Sequence, residues 1–410
     1  MKSLFHEDFG REEKYYIYIY LLLHLCFVLV YCIYSVAVGG WRLSVALNGR
    51  IVMKTKNVLK TIAIGSTLGL VLFAGSDDVL AAKKVKWKMQ SAWGTQVPNA
   101  GESGVRFVDS IDTMSEGKFK IKFYDPGALV PALETFDAAS KGAIDSAWTT
   151  PGYHAGKYPG LAFMTTVPFG PAISEFLSWK WMGGGNAIRD RVYAKHDLYA
   201  LDCFSHGPET SGWFKEPITD LEQLKGMKMR FFGLGAKVMS KIGVSTQLLA
   251  GADIYPALER GVIDSTEYSM PTNDIKYGFY QIAKNNYFPG WHQQSSVSEF
   301  LMNKTKFESL PKPYQEMIRS AAMTQVLYTH VDADSKQFGA MAIMKNKHGV
   351  KIHRWKDEQL AVFEKAWNEV VAEESKKDPL FKEFADSYFA YRKGFKLWGD
   401  AQAMKPTYLD

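Results

Sequence analysis

The sequence predicts an α/β protein folded as two similar lobes, and three observations carry that expectation. The first is length: 410 residues is long for one domain and comfortable for two. The second is the alternation of short apolar runs with amphipathic stretches from Lys84 onward. The third is an internal echo, in which Lys-Gly-Ala-Ile-Asp-Ser at 141–146 returns as Arg-Gly-Val-Ile-Asp-Ser at 260–265. In each copy an amphipathic helix stops at glycine, two apolar residues enter a sheet, and an Asp-Ser pair follows. One such corner is ordinary in any α/β protein; two with matching flanks point to two lobes of one design. Sites in open α/β sheets lie beyond the carboxyl ends of strands. Trp148 and Thr149 in one copy, and Glu267 and Tyr268 in the other, are therefore expected to face a shared cleft.

The elements follow in order. Residues 85–91 read as a first strand, 94–101 as a polar loop and 104–114 as a helix. Period-two alternation marks 118–124 as a second strand. A helix at 132–140 ends at Gly142, and 143–148 is a short strand. Further on, 228–232 is a strand, Gly233-Leu234-Gly235 a turn and 236–242 a helix. The rest reads as helical. Residues 311–326 have a strong apolar face, and Leu360, Val362, Phe363, Ala366, Trp367 and Val370 recur at spacings of three and four. The 379–398 stretch is rich in aromatics (Phe381, Phe384, Tyr388, Phe389, Tyr391, Phe395, Trp398), as expected of core or of a partner-binding helix.

Two apolar segments lie in tandem at the N-terminus. From Met53, the basic Lys54, Lys56 and Lys60 precede an apolar run at 61–74 and a small-residue cleavage pattern at Val79-Leu80-Ala81. That is the layout of a secretory signal peptide, assigned to 53–82. Its apolar run is shorter than the roughly 20 residues that span a bilayer. Residues 1–52, with an apolar stretch at 15–38, read as an upstream extension from a mis-called start; a membrane anchor is the alternative.

Beyond residue 82 the chain has 41 basic and 37 acidic residues and a single cysteine, Cys203. No internal disulfide is available, so stability rests on the cores. Cys203, beside no histidine–asparagine partner, reads as buried filler. Apolar and charged fractions of 47% and 22% are those of a globular protein. The charge of +6 is diffuse and forms no Lys/Arg-dense run, which excludes a nucleic-acid-binding class.

Candidate chemistry concentrates between residues 209 and 268. Arg230 ends a strand before a glycine turn and a helix N-terminus, and its planar fork matches a carboxylate. The competing reading is a structural arginine paired with a neighbouring acid. Glu209 and Glu267 sit among apolar neighbours, and oxygen donors of this kind suit Ca²⁺ or Na⁺. The competing readings are a Glu267–arginine ion pair or a solvated loop acid. Trp93, Trp148, Tyr153, Trp213 and Trp291 are candidate cleft walls. The histidines show no zinc-type spacing, and no P-loop, Gly-x-Ser-x-Gly or HExxH motif is present. Nothing in the pattern points to an enzyme.

These residues resemble the solute-binding proteins of tripartite ATP-independent periplasmic (TRAP) transporters, the DctP-type family, and within it the branch that binds 2-oxo or 2-hydroxy monocarboxylates. The resemblance covers 84–400. It rests on Ser91-Ala92-Trp93, Gly-Ala-Leu-Val-Pro at 127–131, Trp-Met-Gly-Gly-Gly at 181–185 and Gly-Pro-Glu-Thr-Ser-Gly-Trp-Phe at 207–214. It also rests on Leu-Lys-Gly-Met-Lys-Met-Arg at 224–230, Gly-Val-Ile-Asp-Ser-Thr-Glu-Tyr at 261–268 and Phe-Pro-Gly-Trp at 288–291. It implies a type II-like periplasmic binding protein fold with crossing hinge segments and a long bracing helix. Lobe I would be 83–207 plus 296–335, and lobe II 208–295 plus 336–410.

The resemblance also implies a site. Arg230 would clamp the ligand carboxylate, while Glu209, the Glu267 side chain and the Tyr268 backbone would hold Ca²⁺ or Na⁺ against it. Trp93, Tyr153 and Gln293 would complete the ligand contacts. Some relatives carry an amide in place of Glu209 and a tryptophan in place of Tyr268, and the extra negative charge favours Ca²⁺. The expected role is a periplasmic receptor that delivers a small organic acid to a membrane permease, with a homodimer contact through the C-terminal helix. A sensory ligand-binding module is the alternative.

Overall fold

The computed structural model describes residues 84–404, which fall in one compact unit running from Leu80 to Asp410. The signal peptide and upstream segment expected at 1–82 lie outside the described residues.

The first half of the chain alternates β1 (Val85–Ser91), α1 (Ala100–Met114), β2 (Phe119–Tyr124), α2 (Thr135–Ser140) and β3 (Ser146–Thr149). Helices α3 (Ile173–Met182) and α4 (Gly185–Ala194) then lead to β4 (Leu198–His206). The second half begins with β5 (Gly212–Phe214), β6 (Lys228–Arg230), α5 (Gly233–Lys241), β7 (Ser245–Gln247) and α6 (Gly251–Glu259). It continues through β8 (Ser265–Thr266), α7 (Pro271–Tyr277) and β9 (Asn285–Phe288). The chain then passes back through β10 (Ser296–Asn303) and α8 (Lys304–Glu308) to α9 (Lys312–Asn346). It ends with β11 (Lys351–Arg354), α10 (Asp357–Lys377) and α11 (Pro379–Gln402).

Two sheets result, ordered β2-β1-β3-β10-β4 and β11-β9-β5-β8-β6-β7. The chain crosses between them after β4, after β9 and along α9. This is the two-lobed α/β fold expected from sequence, with crossing segments and a bracing helix.

The sequence echo is a structural one. Gly142 and Gly261 both adopt φ of 70°, a left-handed conformation that glycine takes without a Cβ penalty. Ile144 and Ile263 are buried behind them. Asp145 then exchanges two hydrogen bonds with Lys88 of β1: its N–H donates to the Lys88 carbonyl, and its carboxylate accepts the Lys88 N–H at 2.6 Å. Asp264 repeats both bonds with Lys228 of β6, the second at 2.9 Å. Each corner thus fixes the register of a parallel pair, β1 with β3 and β6 with β8. In that correspondence the end of β6, where Arg230 sits, matches the end of β1.

Helix α9 ties the lobes together. Asn99 and Ser205 on the first-sheet side bond to Thr329, while Gln337 exchanges hydrogen bonds with Thr272 at the start of α7. The aromatic tail α11 packs inward through Phe381, Phe384 and Tyr388 around Phe163, and Ser387 accepts a hydrogen bond from Trp179 beside α4. Cys203 is fully buried, and burial lifts its thiol well above the usual range, as expected of filler. Among the described residues, no helix is long and apolar enough to cross a membrane.

Candidate ligand and cation site

A cavity of about 40 Å³ lies between the two sheets. Its lining includes Trp93, Tyr153, Glu209, Arg230, Tyr268 and Gln293, the six residues singled out from sequence for ligand contact. Their elements explain the convergence. Trp93 and Tyr153 follow the carboxyl ends of β1 and β3, and Arg230 and Tyr268 those of β6 and β8. Glu209 and Gln293 sit on the two crossing segments, where the Glu209 N–H donates to the Gln293 carbonyl at 3.1 Å. Gly290 allows that approach: a Cβ there would stand 2.2 Å from the Glu209 carbonyl oxygen.

Arg230 is held through two of its three nitrogens. Its Nε donates to the Leu249 carbonyl at 3.2 Å, and its Nη1 to the Glu267 carbonyl and side chain at 2.7 and 3.1 Å. Its Nη2 has no hydrogen-bond partner among the described residues. The two competing readings of this residue therefore meet in one geometry: Arg230 is paired with an acid and still offers a nitrogen. The guanidinium carbon stands 5.1 Å from the centre of the Tyr268 ring, a cation–π contact that helps fix the fork.

The carboxylates are similarly half-satisfied. Glu267 Oε2 accepts from Arg230 and from the Phe232 N–H, while its Oε1 is buried without a hydrogen bond. Burial works against the ionised form of Glu267, but Arg230, His292 and the Phe232 N–H outweigh it and hold its pKa below the usual value. Glu209 Oε2 is likewise buried and unpartnered, and its Oε1 lies 3.3 Å from His206 Nε2. Burial pushes Glu209 up to about 8, with the Glu267 charge adding to the effect and His292 opposing it. No hydrogen bond ends on the Tyr268 carbonyl oxygen among the described residues.

The two buried acid oxygens accept no hydrogen bond, but His292 Nε2 stands 3.3 Å from Glu267 Oε1 and 3.7 Å from Glu209 Oε2. Burial works against a charged imidazole there, and the two acids outweigh it and raise His292 to about 9. Glu209, Glu267 and His292 each bring one ligand atom within 4.8 Å of the others. The donor set fits a cation. With both acids ionised and His292 neutral, one guanidinium against two carboxylates would leave one negative charge, which a divalent ion and a monocarboxylate together would cancel.

Several expectations need correction. Trp148 does not face the cleft: it is fully buried against Phe107 and Phe300, and its indole donates to the Ala100 carbonyl. Strand β3 turns one residue later, so Thr150 and Tyr153 reach the cavity instead. Trp213 donates to Asp274 in the second-lobe core, and Trp291 stacks on Phe169 and Phe363. His206, His292 and Asn273 went unnoticed in the sequence because no metal-type spacing joins them into one motif with both acids. The available signal was proximity along the chain, since His292 adjoins Gln293 and His206 stands three residues before Glu209.

Comparisons with known proteins identify the family. The model of bacterial extracellular solute-binding protein family 7 (DctP) matches residues 91–378. A monocarboxylate 2-oxoacid-binding periplasmic protein of Nostoc is 32% identical over 351 residues, which is 84% of this chain and 96% of that one. Among solved structures, a TRAP transporter solute-binding protein of Bordetella bronchiseptica superposes with a TM-score of 0.75 at 28% identity. It covers 78% of this chain and 95% of its own, and is a mixed-occupancy dimer with co-purified calcium and picolinate. A TRAP periplasmic solute-binding protein of Pseudoalteromonas atlantica, with bound sodium and pyruvate, gives 0.74 at 27% identity over 78% of this chain and 97% of its own. The chain belongs to bacterial extracellular solute-binding protein family 7, a family of transport receptors and not of enzymes.

Proposed function

We propose that this receptor captures a small 2-oxo or 2-hydroxy monocarboxylate in the periplasm and delivers it to the membrane permease of a TRAP transporter. The observation that carries the reading is the Arg230 guanidinium, free at Nη2, which lines one cavity with Glu209 and is braced from behind by Glu267. Arg230 orients the carboxylate. Glu209, Glu267 and the Tyr268 carbonyl would hold a cation, Ca²⁺ or Na⁺ as in the structural relatives, which would supply positive charge for the oxygens of the acid. Trp93 and Tyr153 form the walls, and Gln293 adds a polar contact. Lobe I is 83–207 plus 296–335 and lobe II 208–295 plus 336–410, closing on the ligand as a hinged pair. Export follows from the signal peptide starting at Met53.

A homodimer through α11 belongs to the same proposal. Leu397, Trp398 and Met404 at its far end are 83%, 61% and 89% exposed, more apolar surface than a free helix end usually shows. Light scattering on the purified protein is expected to give twice the chain mass, and a monomer would remove this part.

The test of the main reading is a thermal-shift series with pyruvate, longer 2-oxo acids, lactate and dicarboxylates. The protein is first unfolded and refolded to strip carried-over ligand, and each acid is tried with Ca²⁺ or with chelator. A ligand at a hundred times its dissociation constant stabilises by about 2.7 kcal/mol. A shift with 2-oxo or 2-hydroxy acids that chelator abolishes supports the clamp and the cation together. A chelator-resistant shift removes the cation, and no shift with any acid removes the reading.

A further inference from the structure

The cavity that Arg230 and Glu209 share is also lined by Phe204, a residue of β4 that the proposed function leaves without a task. Its place emerges from the contacts around the cavity. The Arg230 guanidinium carbon is 6.0 Å from the centre of the Phe232 ring, and Phe232 packs edge-on against Tyr153 at 5.5 Å. Tyr153 leads to Trp93 at 6.2 Å, and Trp93 meets Phe204 edge-on at 5.6 Å. In the other direction Glu267 and His292 lead to Glu209, whose Oε1 is 3.3 Å from His206 Nε2. The His206 ring in turn lies 5.6 Å from Phe204. The circuit closes on Phe204, the member furthest from Arg230 along either path. One arc is polar and charged, the other aromatic. An acid whose carboxylate is held by Arg230 therefore directs its carbon chain toward Trp93 and Phe204.

Both rings are held in place. Phe204 and Trp93 are buried. The Ser91 hydroxyl donates to the Trp93 carbonyl at 2.7 Å and accepts the Trp93 N–H at 3.0 Å, which pins the backbone under the indole. The loop that follows is closed without slack: a Cβ on Gly101 would stand 1.8 Å from the Gly94 carbonyl oxygen. The space left is small. At about 10–15 Å³ per water, the cavity of about 40 Å³ takes roughly three waters. As liquid they would fill about 90 Å³, the scale of a three-carbon acid.

We propose that Phe204, backed by Trp93, is the specificity-determining end wall of the site and limits the ligand to a three-carbon 2-oxo or 2-hydroxy acid. This rests on the reading of Arg230 as the carboxylate clamp and narrows that reading in chain length. Each further methylene has to displace a packed ring, and overfilling a packed interior is unfavourable because neighbouring side chains are forced out of their rotamers.

Calorimetry on the intact protein, stripped of carried-over ligand and supplied with Ca²⁺, tests this with pyruvate, 2-oxobutyrate and 2-oxovalerate. Affinity is expected to fall at least about tenfold from pyruvate to 2-oxovalerate. In Phe204→Ala the order is expected to narrow or reverse, with 2-oxovalerate gaining on pyruvate, because the lost ring leaves room in line with the chain. A merely structural role for Phe204 would weaken all three acids alike. Phe204→Leu, which keeps more of the buried volume, carries the same comparison where the alanine variant fails to fold. If the unsubstituted protein binds 2-oxovalerate as tightly as pyruvate, the inference is overturned, and that series decides the ceiling by itself. An order unchanged in the folded variant removes Phe204 as the wall. If no acid binds, the receptor reading itself fails, a result distinct from either of these.

Discussion

Arg230 and Glu267 are coupled at the level of single residues, and this governs what their substitution can show. Both side chains are essentially fully buried. Breaking such a pair strands a charge, which costs about 3–5 kcal/mol. Glu267→Gln is therefore expected to lower the urea midpoint markedly even without ligand, so loss of binding in that variant would not isolate a ligand role. Arg230→Lys keeps the positive charge beside Glu267 while removing the fork and the Nε bond to the Leu249 carbonyl. The expected outcome is a near-normal denaturation midpoint with monocarboxylate affinity at least about tenfold weaker, since a hydrogen bond to a charged group contributes about 1.5–3 kcal/mol. Calorimetry with pyruvate is the measurement, and unchanged affinity would remove Arg230 from the clamp. At this scale the sequence was legible where a residue's task shows in its neighbours along the chain. Arg230 ends a strand before a glycine turn, and Glu267 follows an apolar one. His292 was not legible, because its partners lie 83 and 25 positions away and only the crossing segments bring them together.

Among the elements, β4 and β10 are hydrogen-bonded neighbours flanking the crossings, and they carry a second buried charge network. Asp202 on β4 pairs with Lys180 at 3.0 Å and Arg189 at 2.9 Å, and Glu299 on β10 accepts the Tyr193 hydroxyl at 2.7 Å. Lys180 also donates to the Met164 carbonyl, next to Thr165 on the cavity wall. Burial pushes Glu299 up to about 7, although Arg189 and Lys180 pull it down. A carboxyl whose folded pKa is raised keeps its proton when the unfolded chain has lost it. Its contribution to stability is present below the unfolded value of about 4.3 and is lost as pH rises toward 7. Glu299→Gln is expected to flatten the fall in unfolding free energy between pH 5 and pH 8, read from urea titrations, by an amount on the order of 1–3 kcal/mol. Equal slopes in the two proteins would reject this. Element boundaries show a matching limit of sequence reading. The expected helix at 311–326 runs on to Asn346 because α9 changes which lobe it packs against, and its apolar periodicity fades there. Leu327, Val331 and Phe338 face outward, while Gln325 and Thr329 are buried.

For the molecule as a whole, the decisive quantity is the closed arrangement of the two lobes, and one glycine sits at the point where they touch. Gly152 follows β3 on the first-sheet side, and Phe232 follows β6 on the second. A Cβ on Gly152 would stand 2.2 Å from the tip of the Phe232 ring, well inside contact. The ring has little room to yield, since Tyr153 packs edge-on against it at 5.5 Å. Gly152→Ala therefore penalises closure while leaving the interior of each lobe untouched. A ligand that binds the closed form must then supply the added closure energy from its own affinity, and its apparent dissociation constant rises by the factor by which the closed population falls. The expected result is a ligand-free melting point close to that of the unsubstituted protein and pyruvate affinity at least about tenfold weaker. Small-angle scattering should show the radius of gyration shrinking with saturating pyruvate and cation in the unsubstituted protein, and less at the same concentrations in Gly152→Ala. Were the variant to bind and contract as the unsubstituted protein does, capture would not depend on this contact between the lobes. Loss of stability without ligand would instead place Gly152 in the packing of its own lobe.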